Sequence, residues 1–408
     1  MIKQLSKICL SVLVLGTLSA SAAERGPTIL AQDYSVVARS EDPQHVFLGT
    51  PAIARLPSGR YVVTYDRFRN DCEGCVVVTS DDGGRTWTEQ ARIALQWASP
   101  LVIDKALFLI GNNQRQDARD IAIARSDDGG QTWSPVRVLF PGRYTGAATS
   151  VLVHGGRVWR AFETCPPGNE NWKSVVVAGE LNKDLLDPKS WRISNEVAYP
   201  GTPPALTQGL FKDPRIKKAN DGWLEGNVIE RNGRLLVLPR VRMQFEATAG
   251  MTAILEVAND ADRLALRFLQ FYPMPGGQNK FHILRDPQTG LYWTSVTRVT
   301  DSFRDIEPLL AMGFKGTGGN ERRIQVLMYS ADALNWFDAG FVAFSPELME
   351  AFSYAWLMID GDDLVLMCRT SQGGLNNHDT NLITLHRVHD FRRLVPPGLF
   401  APNAVGKR

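Results

Sequence analysis

Several stretches of the chain carry side chains that could do chemistry together. In "WLEGNVIERNGRLLVLPRVR", residues 223–242, Glu225 and Arg240 flank a turn signal at Asn232-Gly233. A hairpin turning there brings its two open ends together, with the carboxylate beside the guanidinium. A buried carboxylate next to an arginine stays ionised and poised; a structural ion pair gives the same pattern. "NKFHIL", 279–284, alternates so that Lys280 and His282 share one side of a strand, adding positive charge. "FSYAWLMIDGDDLVLMCRT", 352–370, places Tyr354 on one apolar run and Arg369 on the returning one. The polar loop "NNHDTN", 376–381, follows, with His378, Asp379 and Asn381 as possible ligand contacts. "GRVWRAFE", 156–163, ends in Arg160 and Glu163, either an ion pair or a ligand contact.

The elements that must position these residues are short. "RYVVTYD", "CVVVTS", "ALFLIG", "IAIARS", "SVVVAG", "LLVLPR", "IQVLMYS" and "LVLMCR" have the length and β-branched content of strands. Helical periodicity is scarce, with "SPELMEAF" as a candidate single turn. Turn signals recur about every 8–12 residues, as in a sandwich, barrel or propeller. A repeat decides among these. "SDDGGRTW", 80–87, returns 46 residues later as "SDDGGQTW", 126–133, and that interval holds the four short strands of a propeller blade. The carboxylate suits turn amides, Gly permits positive φ, and Trp can seal adjacent sheets. We expect an all-β, six-bladed β-propeller with blades near 46–90, 91–138, 139–195, 196–265, 266–345 and 346–395. Seven blades stay open, because 196–345 divides poorly. The final strand "LITLHRV" is expected to lie beside the N-terminal "YSVVAR" and close the ring.

Ser80-Asp82-Gly84-Thr86-Trp87 and Ser126-Asp128-Gly130-Thr132-Trp133 resemble the Asp-box, S-x-D-x-G-x-T-W, of the sialidase superfamily. "SADALNW", 330–336, looks like a degenerate third copy, with looser candidates at "DLLDPKSW", 184–191, and "RDPQTGLYW", 285–293. The boxes imply a fastening role for Asp82, Trp87, Asp128 and Trp133, and they also occur in propellers that are not sialidases. The resemblance further implies a catalytic pair of Tyr354 and Glu225. It implies a substrate-binding arginine clamp containing Arg240 and Arg322, the latter in "NERRIQVLMYS", 320–330. An acid/base Asp is implied in "YDRFRNDCEG", 65–74, where Asp71 is the candidate and Asp66 the reserve. Arg369, Lys280, His282, Glu163 and His378 are further substrate-binding candidates.

"GTPAIARLPSGRYVVTYD", 49–66, resembles the family's opening segment but departs from it: Gly49 stands where the first clamp arginine is expected. A charge-assisted hydrogen bond contributes about 1.5–3 kcal/mol, so the loss points away from sialic acid and toward a uronic-acid-containing glycan. His45, four residues upstream, is a candidate to reach the axis. Sialidases use a phenol because the substrate carboxylate at the anomeric carbon repels a carboxylate nucleophile. A neighbouring Glu activates the Tyr, an Asp does acid/base work, and arginines hold the carboxylate bidentately. The resemblance thus implies a sialidase-like glycoside hydrolase acting on an acidic glycan. A polysaccharide lyase on the same scaffold is an alternative, with His45 or Tyr354 as base and Arg240 neutralising the uronate. A non-catalytic glycan-binding propeller is another.

Composition bounds these readings. A net charge of +2 over 408 residues argues against nucleic acid as partner. Residues 1–23 read as a secretory signal, with Lys3 and Lys7, a short apolar run and small residues near Ala22 and Ala23. The rest, 24–408, is expected to form one propeller domain in a secreted or periplasmic protein. No later apolar run is long enough to span a bilayer. "CEGC", 72–75, lacks a second paired ligand motif, so no metal or other cofactor is expected. A Cys72–Cys75 disulfide and free thiols both stay open.

Overall fold

The computed structural model describes residues 29–113, 119–165, 172–203, 221–243, 250–259, 263–302 and 304–400. The expected signal segment lies outside the described residues. Six antiparallel sheets succeed one another along the chain and pack as the blades of a propeller. The innermost strands of blades one, two, four, five and six are Phe47–Arg55, Leu95–Ile103, Gly222–Arg231, Ile283–Arg285 and Ala351–Asp360. In blade three this place is shared by Tyr144–Thr145 and Leu152–His154, both paired with Arg157–Thr164. Tyr34–Arg39 pairs antiparallel with Leu382–Val388, so the two ends of the chain close the ring as the sequence suggests.

The fourth and fifth blades are divided differently from the expectation. Blade four runs from Gly222 to Pro273 and blade five from Ile283 to Phe344. The expected cut at 265/266 falls inside the strand Leu264–Pro273, whose apolar residues pack on blade four. "SPELMEAF" forms no helix: Glu350 N donates to Glu347 O in a turn, and the strand Ala351–Asp360 begins within it. The α-helix of the described residues is instead Ile306–Ala311.

The repeated phrases are turns with the same hydrogen-bond set. Ser80 Oγ donates to Asp82 Oδ1 at 2.8 Å and accepts from Gly84 N at 2.9 Å. Asp82 Oδ1 accepts from Arg85 N and Thr86 N at 2.9 and 3.0 Å. Ser126, Asp128, Gly130, Gln131 and Thr132 repeat this arrangement. Gly83 and Gly84 have φ of 76° and 91°, where a side chain would be strained. Trp87 packs in the seam between blades one and six, and Trp133 between blades one and two. At Ser330–Asp332 the turn recurs with the Asn335 amide in place of the threonine hydroxyl. "DLLDPKSW" lies in the comparable place between the third and fourth strands of blade three. "RDPQTGLYW" does not: it is the hairpin between the first two strands of blade five.

A second regularity positions the site. Four inner strands slip register at the same place, between Gly49 and Ala52, Gln96 and Ser99, Leu224 and Asn227, and Ser353 and Trp356. Within these slips Thr50, Trp97, Glu225 and Tyr354 have φ of 52°, 57°, 64° and 55°. Such conformations cost energy for a non-glycine residue and re-aim its side chain. Across the ladder, just before the bulges, stand Asp66 (opposite Gly49), Asn112 (opposite Gln96), Arg240 (opposite Leu224) and Arg369 (opposite Ser353). Glu163 takes this place in blade three, opposite Thr145. Each of these side chains except Arg369 bonds directly to backbone of the next blade or of the segment leading into it: Asp66 to Trp97 N, Asn112 to Tyr144 O, Glu163 to Gly226 N and Arg240 to Gln278 O.

Candidate active site

The four bulged residues converge on one cavity of about 460 Å3, whose wall also includes Arg240, Lys315, Arg369, His378 and Asp379. Tyr354 is part of this wall. Its hydroxyl accepts from Arg322 Nη2 at 2.9 Å. The guanidinium carbons of Arg322 and Arg369 lie 4.5 and 5.5 Å from its ring centroid, and Lys280 Nζ lies 6.0 Å away. Burial pushes the phenol up, but the charges of Arg322 and Arg240 outweigh it and bring the pKa below its ordinary value. Glu225 is close enough to oppose that shift.

Glu225 pairs with Arg240 Nε at 2.5 Å, both side chains being almost fully buried. The hairpin inferred from Asn232-Gly233 is present, with Leu224 opposite Arg240. Arg240 Nη1 also donates to Gln278 O at 2.6 Å, which fixes the guanidinium. Lys280 is buried, with Nζ donating to Ala148 O at 2.6 Å. Burial lowers its pKa to about 8, against the pull of Glu225.

Two carboxyls lie beneath the cavity. Burial pushes Asp66 up to about 7, against the opposing pull of the neighbouring Thr50 hydroxyl and of Trp97 N, which donates to it at 3.0 Å. Burial and then the charge of Glu225 push Glu163 up to about 8. Glu163 Oε2 has no hydrogen-bond partner among the described residues, which suits a carboxyl that keeps its proton.

At the rim, His378 Nδ1 meets Asp379 Oδ1 at 2.8 Å, and Lys315 Nζ meets Asp379 Oδ2 at 2.7 Å. Burial and the Arg369 charge lower His378 to about 3, so its ring is neutral. Charges in the cavity do not balance pairwise. Arg240 has Glu225 and Lys315 has Asp379, while Arg322, Arg369 and Lys280 have no carboxylate ion-pair partner among the described residues.

The candidates named from sequence therefore divide. Tyr354, Glu225, Arg240, Arg369 and His378 share the cavity wall, Arg322 bonds to the Tyr354 hydroxyl, and Lys280 Nζ lies 6.0 Å from the Tyr354 ring centroid. Asp71 is exposed, caps Cys72 N at 2.8 Å and lies off the wall, to which Arg69 and Asn70 contribute instead. His45 is also off the wall, with 72% of its side chain exposed and paired to Asp42. Glu163 is buried below the cavity rather than lining it. His282 belongs to another cavity of about 630 Å3, lined mainly by apolar strand residues. It stacks on Trp356 at 4.1 Å and accepts from Leu357 N. Burial holds its pKa at about 3, so it brings no positive charge. Cys72 and Cys75 are buried free thiols. Among the described residues no group of three His, Cys, Asp or Glu is placed to hold a metal ion.

Sequence reasoning missed Thr50, Trp97 and Lys315. The signal for the first two is positional: "GTPA", "QWAS", "LEGN" and "SYAW" fall at one register position, visible only once the blades are aligned on their ladders. Lys315 follows a short helix and carries no periodic signal.

Sequence comparison finds no matching family model and no matching curated protein. Solved structures do match. One is a Penicillium chrysogenum alpha-L-arabinanase complexed with arabinobiose, at 14% identity and TM-score 0.53, covering 90% of this chain and 100% of the other. Another is a Trypanosoma rangeli sialidase in complex with the inhibitor DANA, at 12% identity and TM-score 0.56, covering 90% of this chain and 60% of that one. A third is the GH93 alpha-L-arabinofuranosidase of Fusarium graminearum with arabinobiose, at 13% identity and TM-score 0.50, covering 88% and 97%. These neighbours are glycoside hydrolases, and the shared fold is the six-bladed propeller of the sialidase type.

Proposed function

We propose that the protein is a secreted glycoside hydrolase that removes a sugar bearing an acidic group, with Tyr354 as nucleophile and Glu225 as its base. The observation that carries the reading is the setting of Tyr354: a buried phenol on a left-handed bulge, bonded to Arg322 and sharing its cavity with the Glu225–Arg240 pair. Acidity of the substrate is supported by the cations around that phenol that have no carboxylate of their own.

In the first step Glu225 takes the phenolic proton and Tyr354 Oη bonds to the anomeric carbon. The glycosidic C–O bond breaks, and the leaving oxygen needs a proton. Asp71 lies off the wall, so we assign the proton to Asp66, passed through the Thr50 hydroxyl. Asp66 is protonated below about pH 7, and Thr50 joins it to the cavity. In the second step water attacks the anomeric carbon and returns a proton through Thr50 to Asp66. The Tyr354–carbon bond breaks, and Glu225 gives the phenol its proton back. Two displacements retain the anomeric configuration.

The test is an NMR time course with aryl glycosides of N-acetylneuraminic acid, glucuronic acid and α-L-arabinofuranose, together with uronate oligosaccharides. Release of an acidic sugar with retained configuration supports the reading. Faster cleavage of the neutral arabinofuranoside overturns the acidic substrate. An unsaturated uronate product replaces hydrolysis with elimination, and binding without cleavage makes the propeller a glycan-binding module.

A further inference from the structure

The cavity of about 630 Å3 that holds His282 lies at the other end of the strands that carry the candidate active site. Thr50, Trp97, Glu225 and Tyr354 line the first cavity. Three residues further along the same inner strands, Ile53, Pro100, Val228 and Leu357 line the second. Blades three and five complete it with residues 150–154 and 282–286, so all six blades contribute. Between the two levels Asn227, fully buried, ties three blades together. Its amide nitrogen donates to Phe281 O at 3.0 Å, and its oxygen accepts from Ile283 N at 3.0 Å and Ser150 N at 3.4 Å. The second cavity thus belongs to the opposite face of the ring.

Its wall is largely hydrocarbon, from Ile53, Val151, Val228, Ile283, Leu357 and Met358 among others. The carboxylates and the guanidinium that it includes are already matched. Glu230 pairs with Arg285 at 3.3 Å, and Asp286 with Arg392 at 2.9 Å. An ionic ligand would find no counter-charge to offset its desolvation. This is the reverse of the Tyr354 cavity, with its surplus of cations.

One strong polar group is open. His282 is only 4% exposed, and its Nδ1 accepts from Leu357 N at 3.2 Å. A ring nitrogen that accepts carries no proton, so the single proton of this neutral ring is on Nε2. Nε2 has no hydrogen-bond partner among the described residues, and the ring lines the cavity. Stacking on Trp356 at 4.1 Å fixes its plane. A buried donor without a partner is costly, and an acceptor on a bound molecule removes that cost.

We propose that this axial cavity is a second ligand site, taking a small uncharged molecule with an apolar body and one carbonyl oxygen that accepts from His282 Nε2. Its volume falls within the range of small-molecule sites, about 300–1,000 Å3, and a mostly apolar wall with a single placed donor is their usual make-up. The site does not depend on the hydrolytic reading.

The probe is benzophenone, which is uncharged, carries one carbonyl and labels its surroundings under near-ultraviolet light. Full-length protein is dialysed to equilibrium against benzophenone, its acceptor-free isostere diphenylmethane and the anion 4-benzoylbenzoate. Affinities are set against each neutral compound's transfer from water to cyclohexane, which a cavity without a donor would follow. Benzophenone is expected to bind saturably and to exceed that line, relative to diphenylmethane, by about tenfold or more. The anion should bind more weakly than benzophenone. Irradiation should place the label on the wall of this cavity, Met358 foremost, as read by peptide fragmentation. His282→Phe keeps the stacked ring and deletes the donor, so the excess should fall to within about twofold. That variant also strips Leu357 N of its acceptor; if it does not fold, the wild-type excess and the label position decide alone. The proposal is overturned if benzophenone does not saturate, if the two neutral compounds follow the cyclohexane line, or if the anion binds as tightly. A label on the Tyr354 cavity, or an excess that survives in folded His282→Phe, overturns it too.

Discussion

Asp66 and Glu163 hold the same register position in blades one and three, and each accepts backbone N–H from a left-handed bulge in the following blade. Both are fully buried, and burial raises both, to about 7 and about 8. Geometry that holds Trp97 and Glu225 toward the axis therefore also stores protons under the cavity. Carboxyl groups serve here because an acceptor is needed for a bulge N–H and no neighbouring cation offsets burial fully.

These shifts have a sign in stability. The unfolded chain releases the two protons near pH 4, whereas the folded chain holds them to about 7 and about 8. Between those limits the folded state binds more protons, so stability falls as pH rises from about 4 to 8. Glu163→Gln keeps an acceptor for Gly226 N and removes its share of the fall. The variant should match the wild type near pH 4 and be more stable at pH 8.5, by on the order of 2 kcal/mol. Calorimetric Tm values at the two pH values check this, and equal pH slopes for both proteins would count against it.

Removal of the nucleophile should be severe without unfolding the protein. Tyr354→Phe keeps the ring that Arg322 and Arg369 flank and deletes the hydroxyl. Glu225→Gln removes the base while filling the same space. Each should lower kcat by about 10²–10⁴, the range of a lost proton-transfer or nucleophilic partner. Steady-state assays on an acidic aryl glycoside, with circular dichroism as the folding check, decide it; a variant within tenfold of wild type rejects the assigned role.

Proton donation predicts a dependence on leaving group. Asp66→Asn and Thr50→Val both interrupt the route to the departing oxygen. An alkyl or sugar leaving group needs that proton, and a dinitrophenolate hardly does. Both variants should therefore lose about 10² or more in kcat on the former and much less on the latter. Equal losses on both substrates would assign Asp66 to structure alone. The wild-type rate with a poor leaving group should also decline above about pH 7, as Asp66 loses its proton.

How much of this was legible beforehand follows from what each signal measures. The spacing of the repeated turns reports blade size, because each turn occupies the same place in its sheet, and the closing pair Tyr34–Arg39 with Leu382–Val388 followed from it. The Glu225–Arg240 contact was legible because one hairpin makes it local. Arg322 and Tyr354, far apart in sequence, met as the resemblance implied. Asp71 was chosen by its place in a loop, and loop register is not fixed by any ladder; Asp66, one strand position inside, is the carboxyl that packing brings under the cavity. His282 was assigned by alternation, yet it precedes its strand, where alternation has no force. That the Arg369 guanidinium lies against Gly49 was invisible, since the contact joins residues 320 positions apart through space alone.

The repeated turns give a last prediction, about structure rather than chemistry. Asp128 accepts from Ser126 Oγ, Gln131 N, Thr132 N and the Thr132 hydroxyl. The Thr132 hydroxyl, outweighing slight burial, is the main cause that brings its pKa to about 2. A depressed carboxylate contributes stability above its unfolded pKa, near 4, and loses it as pH falls toward 2. Asp128→Asn keeps one acceptor oxygen but loses the charge, and Asp128→Ala frees every donor at once. Ala should therefore lower Tm by a few degrees at pH 7, Asn by less, and the gap between wild type and Asn should close as pH approaches 2. Catalytic constants should not move in either variant, because the turn lies outside the wall of the Tyr354 cavity. Thermal melts paired with activity assays test both halves; activity that falls ahead of Tm would mean that the turn communicates with the site.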